Sequence, residues 1–522
     1  MTPLLTVPEV VAAYARIDPY RAAARDSQRT LTFAQWDERA NRLANALLGM
    51  GLRKGDRVAI LAYNCIEWVE IYAGLGRAGL IAVPVNFRLV GTEVRYIARD
   101  AGVRAFIVQD PLFGSVAAIR AELDISDANY VHFGAQPAPA GYSAYEALLA
   151  RAAANAPGVT VAPQDTWALM YTSGTTGNPK GAIRSHAGQA LMALVTALDF
   201  GFSRDHAGLL VMPMCHANSL NFFSTFAYCG ATCGVYDRQS FDPEHLLATL
   251  SDQNVTFTSL VPTHYIMTLG LPQAVKDKYD VASVNKLLIS SAPARRETKL
   301  AIMEHFRNSR LYELYGSTEA GWVTLLRPDQ QLTKLGSVGR EFTGTGRVRL
   351  LDETGKDVPE GEVGELYSRT PYTFDGYWNL PDKTSEAFRG DYCSVGDMAR
   401  RDADGFYHLV DRKKNMIISG GENVYPSEVE NLLAQHPAVK DVAVIGVPHE
   451  KWGEAVHAVV VLNAGGGVSE AGLLEWCKDK IAGYKRPRSI SFMREEDVPR
   501  TATGKIQHRL LRDRIVKSVT KT

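Results

Sequence analysis

One short stretch concentrates hydroxyls, glycines and a lysine: Tyr171-Thr172-Ser173-Gly174-Thr175-Thr176-Gly177-Asn178-Pro179-Lys180-Gly181, directly after the apolar residues 167–170. Glycines at 174, 177 and 181 let backbone N–H groups come close to an anion, the Thr and Ser hydroxyls donate to phosphate oxygens, and Lys180 brings a compact positive charge. The chemistry this pattern serves is the binding of a phosphate-bearing polyanion. In a Walker A loop the lysine directly follows the last glycine; here Asn178 and Pro179 intervene, so a P-loop NTPase is disfavoured. Two further runs are suggestive in this company and weak alone. Tyr315-Gly316-Ser317-Thr318-Glu319 sets an aromatic ring, a glycine, two hydroxyls and a carboxylate in succession. A carboxylate beside phosphate oxygens is a donor set that Mg²⁺ favours. Pro499-Arg500-Thr501-Ala502-Thr503-Gly504-Lys505-Ile506 places a lysine directly after a glycine in a polar loop.

The elements that position these residues are read from hydrophobic periodicity. Residues 33–50 and 66–77 have helical periodicity, while 57–61 and 104–108 read as strands, which is α/β winding. Residues 111–160 are Ala-rich and read as a connection ahead of the phosphate loop; the segment after the loop reads as helix-like. Strands at 209–212, 231–236, 257–261 and 286–290 alternate with helical stretches and form a second α/β unit. From about 335 to 410, short strands punctuated by Gly and Asp suggest a small β-barrel. The charged cluster Asp411-Arg412-Lys413-Lys414-Asn415 marks a boundary, beyond which helices and strands mix. The expected architecture is α/β: a large N-terminal domain, 1–411, of two α/β subdomains plus a small β-barrel, and a small α+β C-terminal domain, 412–522, on a hinge.

Composition removes several classes. In 522 residues, 57 Lys and Arg balance 57 Asp and Glu, so no global field points to nucleic acid or an acidic surface. The cysteines at 65, 215, 229, 233, 393 and 477 lack paired metal-ligand spacing and read as reduced core thiols of a cytoplasmic protein. The N-terminal residues lack the basic and apolar regions of a signal peptide. Residues 207–236 carry no Asp, Glu, Lys or Arg, but Pro213, His216, Asn218, Asn221 and Gly230 interrupt them. They read as strand, loop, helix and strand, and no transmembrane segment is expected.

Taken in order, these stretches resemble the signatures of the acyl-adenylate-forming (AMP-binding) superfamily, which includes acyl-CoA synthetases, luciferases and adenylation domains of peptide synthetases. Within it the chain is similar to fatty-acid and 4-coumarate CoA ligases. The resemblance implies an ATP site built from Thr172, Ser173, Gly174, Thr175, Thr176, Gly177 and Lys180, with Gly316 and Ser317 beside them. Tyr315 is expected to stack on adenine, Thr318 to touch the α-phosphate, and Glu319 to hold Mg²⁺ with Thr172 near the metal. Ser291-Ala292-Pro293 stands where the family usually shows Gly-Ala-Pro beside the adenine. In Ser394-Val395-Gly396-Asp397, Val395 replaces the usual hydroxyl residue of a Thr-Gly-Asp motif; Asp397 would bind the ribose hydroxyls. Arg412 would reach the ribose or a phosphate, Lys414 matches the hinge about which the small domain turns, and Lys505 matches the catalytic lysine. Gly420 and Gly421 match the CoA-tunnel position.

A carboxylate is a poor acyl donor, and attack on the α-phosphate of ATP converts it into an acyl-adenylate with loss of pyrophosphate. Glu319 with Mg²⁺, the loop N–H groups and Lys505 suit that step electrostatically. In the family the small domain then rotates and a thiol attacks the adenylate. Pro213-Met214-Cys215-His216-Ala217-Asn218 resembles the acyl-CoA synthetase form of a substrate motif, with His216 at the carboxylate end of the pocket; the other reading is a hydrogen-bonded core imidazole. No Asp occurs in 214–221, which argues against an α-amino acid. Phe222, Phe223, Phe226, Tyr265 and Trp322 are candidate pocket walls, although such a stripe is more often core. The leading reading is an AMP-forming ligase joining a fatty or aryl acid to CoA, an acid–thiol ligase, with ATP and Mg²⁺ and with CoA as co-substrate; a homodimer is compatible with it. The alternatives are an enzyme that loads a carrier protein's phosphopantetheine and a catalytically silent nucleotide-binding regulatory protein.

Overall fold

The computed structural model describes residues 5–172, 178–291, 294–419, 422–478, 480–500 and 506–519. Packing divides the chain into two compact units: residues 1–348 with 368–393, and residues 349–367 with 394–522.

The first unit carries two large sheets, as the two α/β patterns imply. A seven-stranded sheet runs in the order Ser143–Ala144, Tyr130–Phe133, Ala105–Gln109, Arg57–Leu61, Ile81–Val85, Thr166–Thr172, Lys180–Ser185. All its pairings are parallel except the last. A nine-stranded sheet runs Arg340–Glu341, Gly321–Leu326, Arg310–Ser317, Lys286–Ile289, Phe257–Leu260, Ala207–Leu210, Thr232–Val235, Ala22–Arg25, Thr30–Thr32, with a parallel centre and antiparallel edges. Residues 207–236 fold as strand, loop, helix and strand, and no described helix is long and apolar enough to cross a membrane. The described cysteines are all free.

Helices Phe33–Gly49, Glu67–Arg77, His186–Phe200 and Ala217–Cys229 share one core that holds Trp36, Trp68, Tyr72 and Trp167. Burying each such side chain stabilises the fold by roughly 1.5–3 kcal/mol. The indole N–H groups of Trp36 and Trp167 donate to the carbonyls of Val69 (2.9 Å) and Tyr72 (3.0 Å), so these rings enter the core without an orphaned donor. Phe222, Phe223, Phe226 and Tyr265 are fully buried core residues rather than pocket walls, and the indole of Trp322 donates to Thr196 inside the same core at 2.9 Å.

Two stretches of the first unit differ from the sequence reading. Residues 111–160 are not a plain connection: they supply the strands Tyr130–Phe133 and Ser143–Ala144 and the helix Tyr145–Arg151. Tyr145 donates at 2.9 Å to buried Glu70, which Arg39 also grips at 2.7 Å. The second difference lies after the phosphate loop, where a strand precedes the helix. Thr166–Thr172 and Lys180–Ser185 pair antiparallel from Thr166 opposite Ser185 to Thr172 opposite Lys180, so the loop joins a hairpin. Helix His186–Phe200 starts one strand later, where the Ser185 hydroxyl accepts the N–H of Gly188.

In the second unit, Arg349–Leu351, Gly364–Tyr367, Asp397–Arg401 and Tyr407–Arg412 form a four-stranded antiparallel sheet, paired as an open path where a small barrel was expected. A five-stranded sheet around Val439–His449 and Gly453–Leu462 packs with helices Pro426–Leu433 and Glu470–Trp476 over a core of Val429, Leu433, Val444, Val456 and Leu473.

Candidate active site

Ligands of open α/β sheets bind in the crevice outside the carboxyl ends of the strands. The candidate residues of the first unit gather at such ends. Thr172 closes strand Thr166–Thr172, Ser291 follows Lys286–Ile289, Thr318 and Glu319 follow Arg310–Ser317, and His216 lies beyond Ala207–Leu210.

Glu319 is 7% exposed, and two hydroxyls converge on its Oε1: Tyr377 donates at 2.8 Å and Thr172 at 3.4 Å. The backbone carbonyl of Glu319 accepts from the Phe374 N–H at 2.7 Å. The ammonium of Lys180 stands 3.7 Å from the centroid of the Tyr377 ring, so the lysine and the carboxylate grip one phenol from its face and its hydroxyl. Among the described residues no donor goes to Oε2 of Glu319, and no cluster of three His, Cys, Asp or Glu could hold a metal by itself. One carboxylate and one hydroxyl are hard oxygen donors that fit Mg²⁺ if phosphate and water complete its shell.

Around this pair the backbone explains several residue types. A register shift between Tyr315 and Gly316 interrupts the antiparallel pairing with Gly321–Leu326. A Cβ on Gly316 would lie 2.2 Å from the Gly321 carbonyl, so only glycine fits there. The Ser317 hydroxyl accepts the N–H of Ala320 at 2.9 Å and tightens the turn that carries Thr318 and Glu319. Gly181 has a different reason from phosphate approach: its missing side chain makes room for the Tyr171 ring, 3.1 Å from where a Cβ would sit. Ser291 has φ +68°, a left-handed conformation that costs a serine roughly 1–2 kcal/mol and a glycine almost nothing. The departure from Gly-Ala-Pro thus falls on the position where glycine would be unstrained.

His216 precedes helix Ala217–Cys229, and its Nε2 is buried without a hydrogen-bond partner among the described residues. Burial, with Arg88 nearby, pushes its pKa down to about 4, so the ring is neutral at pH 7. His264, stacked on Phe241 at 3.9 Å, is lowered to about 4 by the same two causes. Beside them Asn218 donates to Ser259 (3.3 Å), which meets Ser290 at 3.2 Å.

In the second unit, Asp397 faces Arg412 across an antiparallel pair, with Arg412 Nε 3.2 Å from Oδ1. Gly396 has φ +80°, and its N–H donates to Ser394, whose hydroxyl donates to Glu365. Lys414 is exposed in a turn closed by the Asn415 N–H on the Arg412 carbonyl at 2.9 Å. Asp411 anchors that turn by accepting from Asn415 and from the Ser427 N–H.

Ser173, Gly174, Thr175, Thr176, Gly177, Ala292, Pro293, Gly420, Gly421 and Lys505 lie outside the described residues. Sequence reasoning missed Tyr377 and also Arg184, whose Nη1 donates to the carbonyls of Thr318 and Tyr372. The aromatic run from Tyr372 to Trp378 around Gly376 was the one available signal for the first, and a lone arginine in a short strand offered none for the second.

Residues 11–378 match the family AMP-binding enzyme, and residues 428–505 match the AMP-binding enzyme C-terminal domain. The chain belongs to the AMP-binding enzyme family. It is 36% identical to a feruloyl-CoA synthase of Amycolatopsis sp. over 94% of this chain and 95% of that protein. It is 34% identical to an indoleacetate–CoA ligase of Aromatoleum aromaticum over 96% of each. Among solved structures it resembles an anthranilate CoA ligase in complex with anthranoyl-AMP, with TM-score 0.88 and 29% identity over 100% of this chain and 99% of that one.

Proposed function

We propose that this protein is an AMP-forming carboxylate–CoA ligase, an acid–thiol ligase that activates a fatty or aryl acid with ATP and passes the acyl group from the adenylate to CoA. The observation that carries the reading is Glu319, held by Thr172 and Tyr377 where strands Thr166–Thr172 and Arg310–Ser317 end. The similarity to CoA ligases of feruloyl, indoleacetate and anthranilate type supports it.

In this reading the 172–180 loop receives the phosphates, Tyr315 takes the adenine, and Thr318 touches the α-phosphate. Glu319 with Thr172 would hold Mg²⁺, which when bound offsets charge on the phosphates. Tyr377 fixes the Glu319 carboxylate so that this charge is aimed before substrate arrives, the condition under which an electrostatic group contributes most. His216, neutral and short of a hydrogen-bond partner, suits the carboxylate end of the acid pocket. Asp397 and Arg412 serve the ribose, Lys505 the adenylation step, and Gly420 and Gly421 the thiol. Residues from 412 onward move as a domain about Lys414. The six thiols, reduced, suit the cytoplasm.

The test is pyrophosphate release across a panel of fatty, aryl and amino acids, followed by transfer with CoA or holo-carrier protein offered separately. Release with a fatty or aryl acid, then thioester on CoA, is the expected result. Thioester on the carrier alone, or no release with any acid, would overturn the assignment.

A further inference from the structure

Arg184 lies in strand Lys180–Ser185, directly after the phosphate loop, and is only 4% exposed. Its guanidinium forms no ion pair with a described carboxylate; Asp375 and Glu319 act on it through space. Instead Nη1 donates to two backbone carbonyls, Thr318 at 3.2 Å and Tyr372 at 3.0 Å, while Nη2 is buried without a partner among the described residues. Burial lowers its pKa to about 10, and it remains charged at neutral pH. A buried charge with an unsatisfied donor is a poor choice for stability, because an apolar side chain of similar volume usually serves as well or better.

The two carbonyls are informative. Thr318 immediately precedes Glu319, and Tyr372 opens the segment from which Phe374 N–H donates to the Glu319 carbonyl and Tyr377 donates to its carboxylate. Arg184 thus pins both sides of Glu319: the turn that carries it and the segment that orients it. From this we infer that Arg184 is a positioning residue for the triphosphate end of the nucleotide site, acting through Thr318 and the 372–377 segment on Glu319. The inference rests on the proposed reading in which Thr318 and Glu319 face ATP phosphates.

The experiment compares binding of adenosine and of Mg·α,β-methylene-ATP to the full chain by calorimetry, for the wild type, Arg184→Met and Arg184→Lys. Arg184→Met should stay folded and lose about tenfold in affinity for the triphosphate analogue while adenosine binding is retained. Arg184→Lys, whose ammonium ends one bond short of the Nη1 that meets both carbonyls, should lose affinity in the same direction. Equal affinity of wild type and variants for the analogue would overturn the inference, and so would parallel loss of adenosine and analogue binding, which marks a merely structural role. If Arg184→Met failed to fold, Arg184→Lys would decide alone: wild-type affinity there overturns the inference. A wild type that bound neither ligand would sink the reading of the site itself.

Discussion

The Thr172 hydroxyl and the Glu319 carboxylate, 147 residues apart in sequence, meet at 3.4 Å, and they share the oxygen to which Tyr377 donates at 2.8 Å. Glu319→Gln keeps the shape and removes the charge, and should slow pyrophosphate release by about 10², the scale for one preorganised electrostatic group. Tyr377→Phe removes only a hydrogen bond to a charged acceptor, worth about 1.5–3 kcal/mol, so a fall of roughly tenfold or more is expected. The Mg²⁺ concentration for half-maximal rate should rise in both. Unaltered rates and Mg²⁺ dependence would remove the pair from the site.

Tyr171, before the phosphate loop, donates to Asp100 at 2.5 Å, and Tyr96 reaches the same carboxylate at 3.5 Å. The residues ahead of 173–177 are therefore tied to helix Gly91–Ala101. Asp100→Ala and Tyr171→Phe should each raise KM for ATP several-fold and leave KM for the acid in place. Steady-state kinetics with ATP and acid varied in turn checks this, and an increase in the acid KM alone would contradict it.

His186 is 1% exposed and stacked on Trp167, with neither ring nitrogen hydrogen-bonded among the described residues. Burial pushes its pKa from 6.5 down to about 4; Lys54 works in the same direction and Asp165 against it. The unfolded chain therefore binds a proton that the folded one refuses between those values. The stability linked to this group is complete above pH 6.5 and is lost as pH falls towards 4, by roughly 3 kcal/mol at most. His186→Phe should flatten that part of the melting-temperature profile between pH 6.5 and 4.5. His216 and His264 act in the same sense, so the slope should be reduced rather than abolished.

The proposed roles of Lys505 and Lys414 separate the half-reactions. Lys505→Ala should cripple acyl-AMP formation and spare transfer from synthetic acyl-AMP to CoA. Lys414→Pro fixes φ in the exposed turn after Arg412 and should harm transfer more than adenylation. Equal damage to both steps by both variants, in folded protein, would deprive the alternation of support.

What the sequence by itself determined follows from local physics. The strand at 57–61 and the helix from 33 were legible because apolar periodicity reports one buried face. The runs at 171–181 and 315–319 stood out by residue types at short spacing, and Thr172 of the one meets Glu319 of the other. The strand Lys180–Ser185 was not, since six residues with small Gly181 and Ala182 give no clear alternation, and the pairing that makes them a strand comes from Thr166–Thr172. Nor did the Ala-rich 111–160 announce that Tyr130–Phe133 joins a sheet, because that strand is buried along its whole length and its partner Ala105–Gln109 lies elsewhere in the chain. Only the tertiary structure decided that Tyr377 and Arg184 serve Glu319. Their contacts span 58 residues in one case and, through Thr318, 134 in the other, and such distances are closed by sheet order and core packing, not by any local pattern.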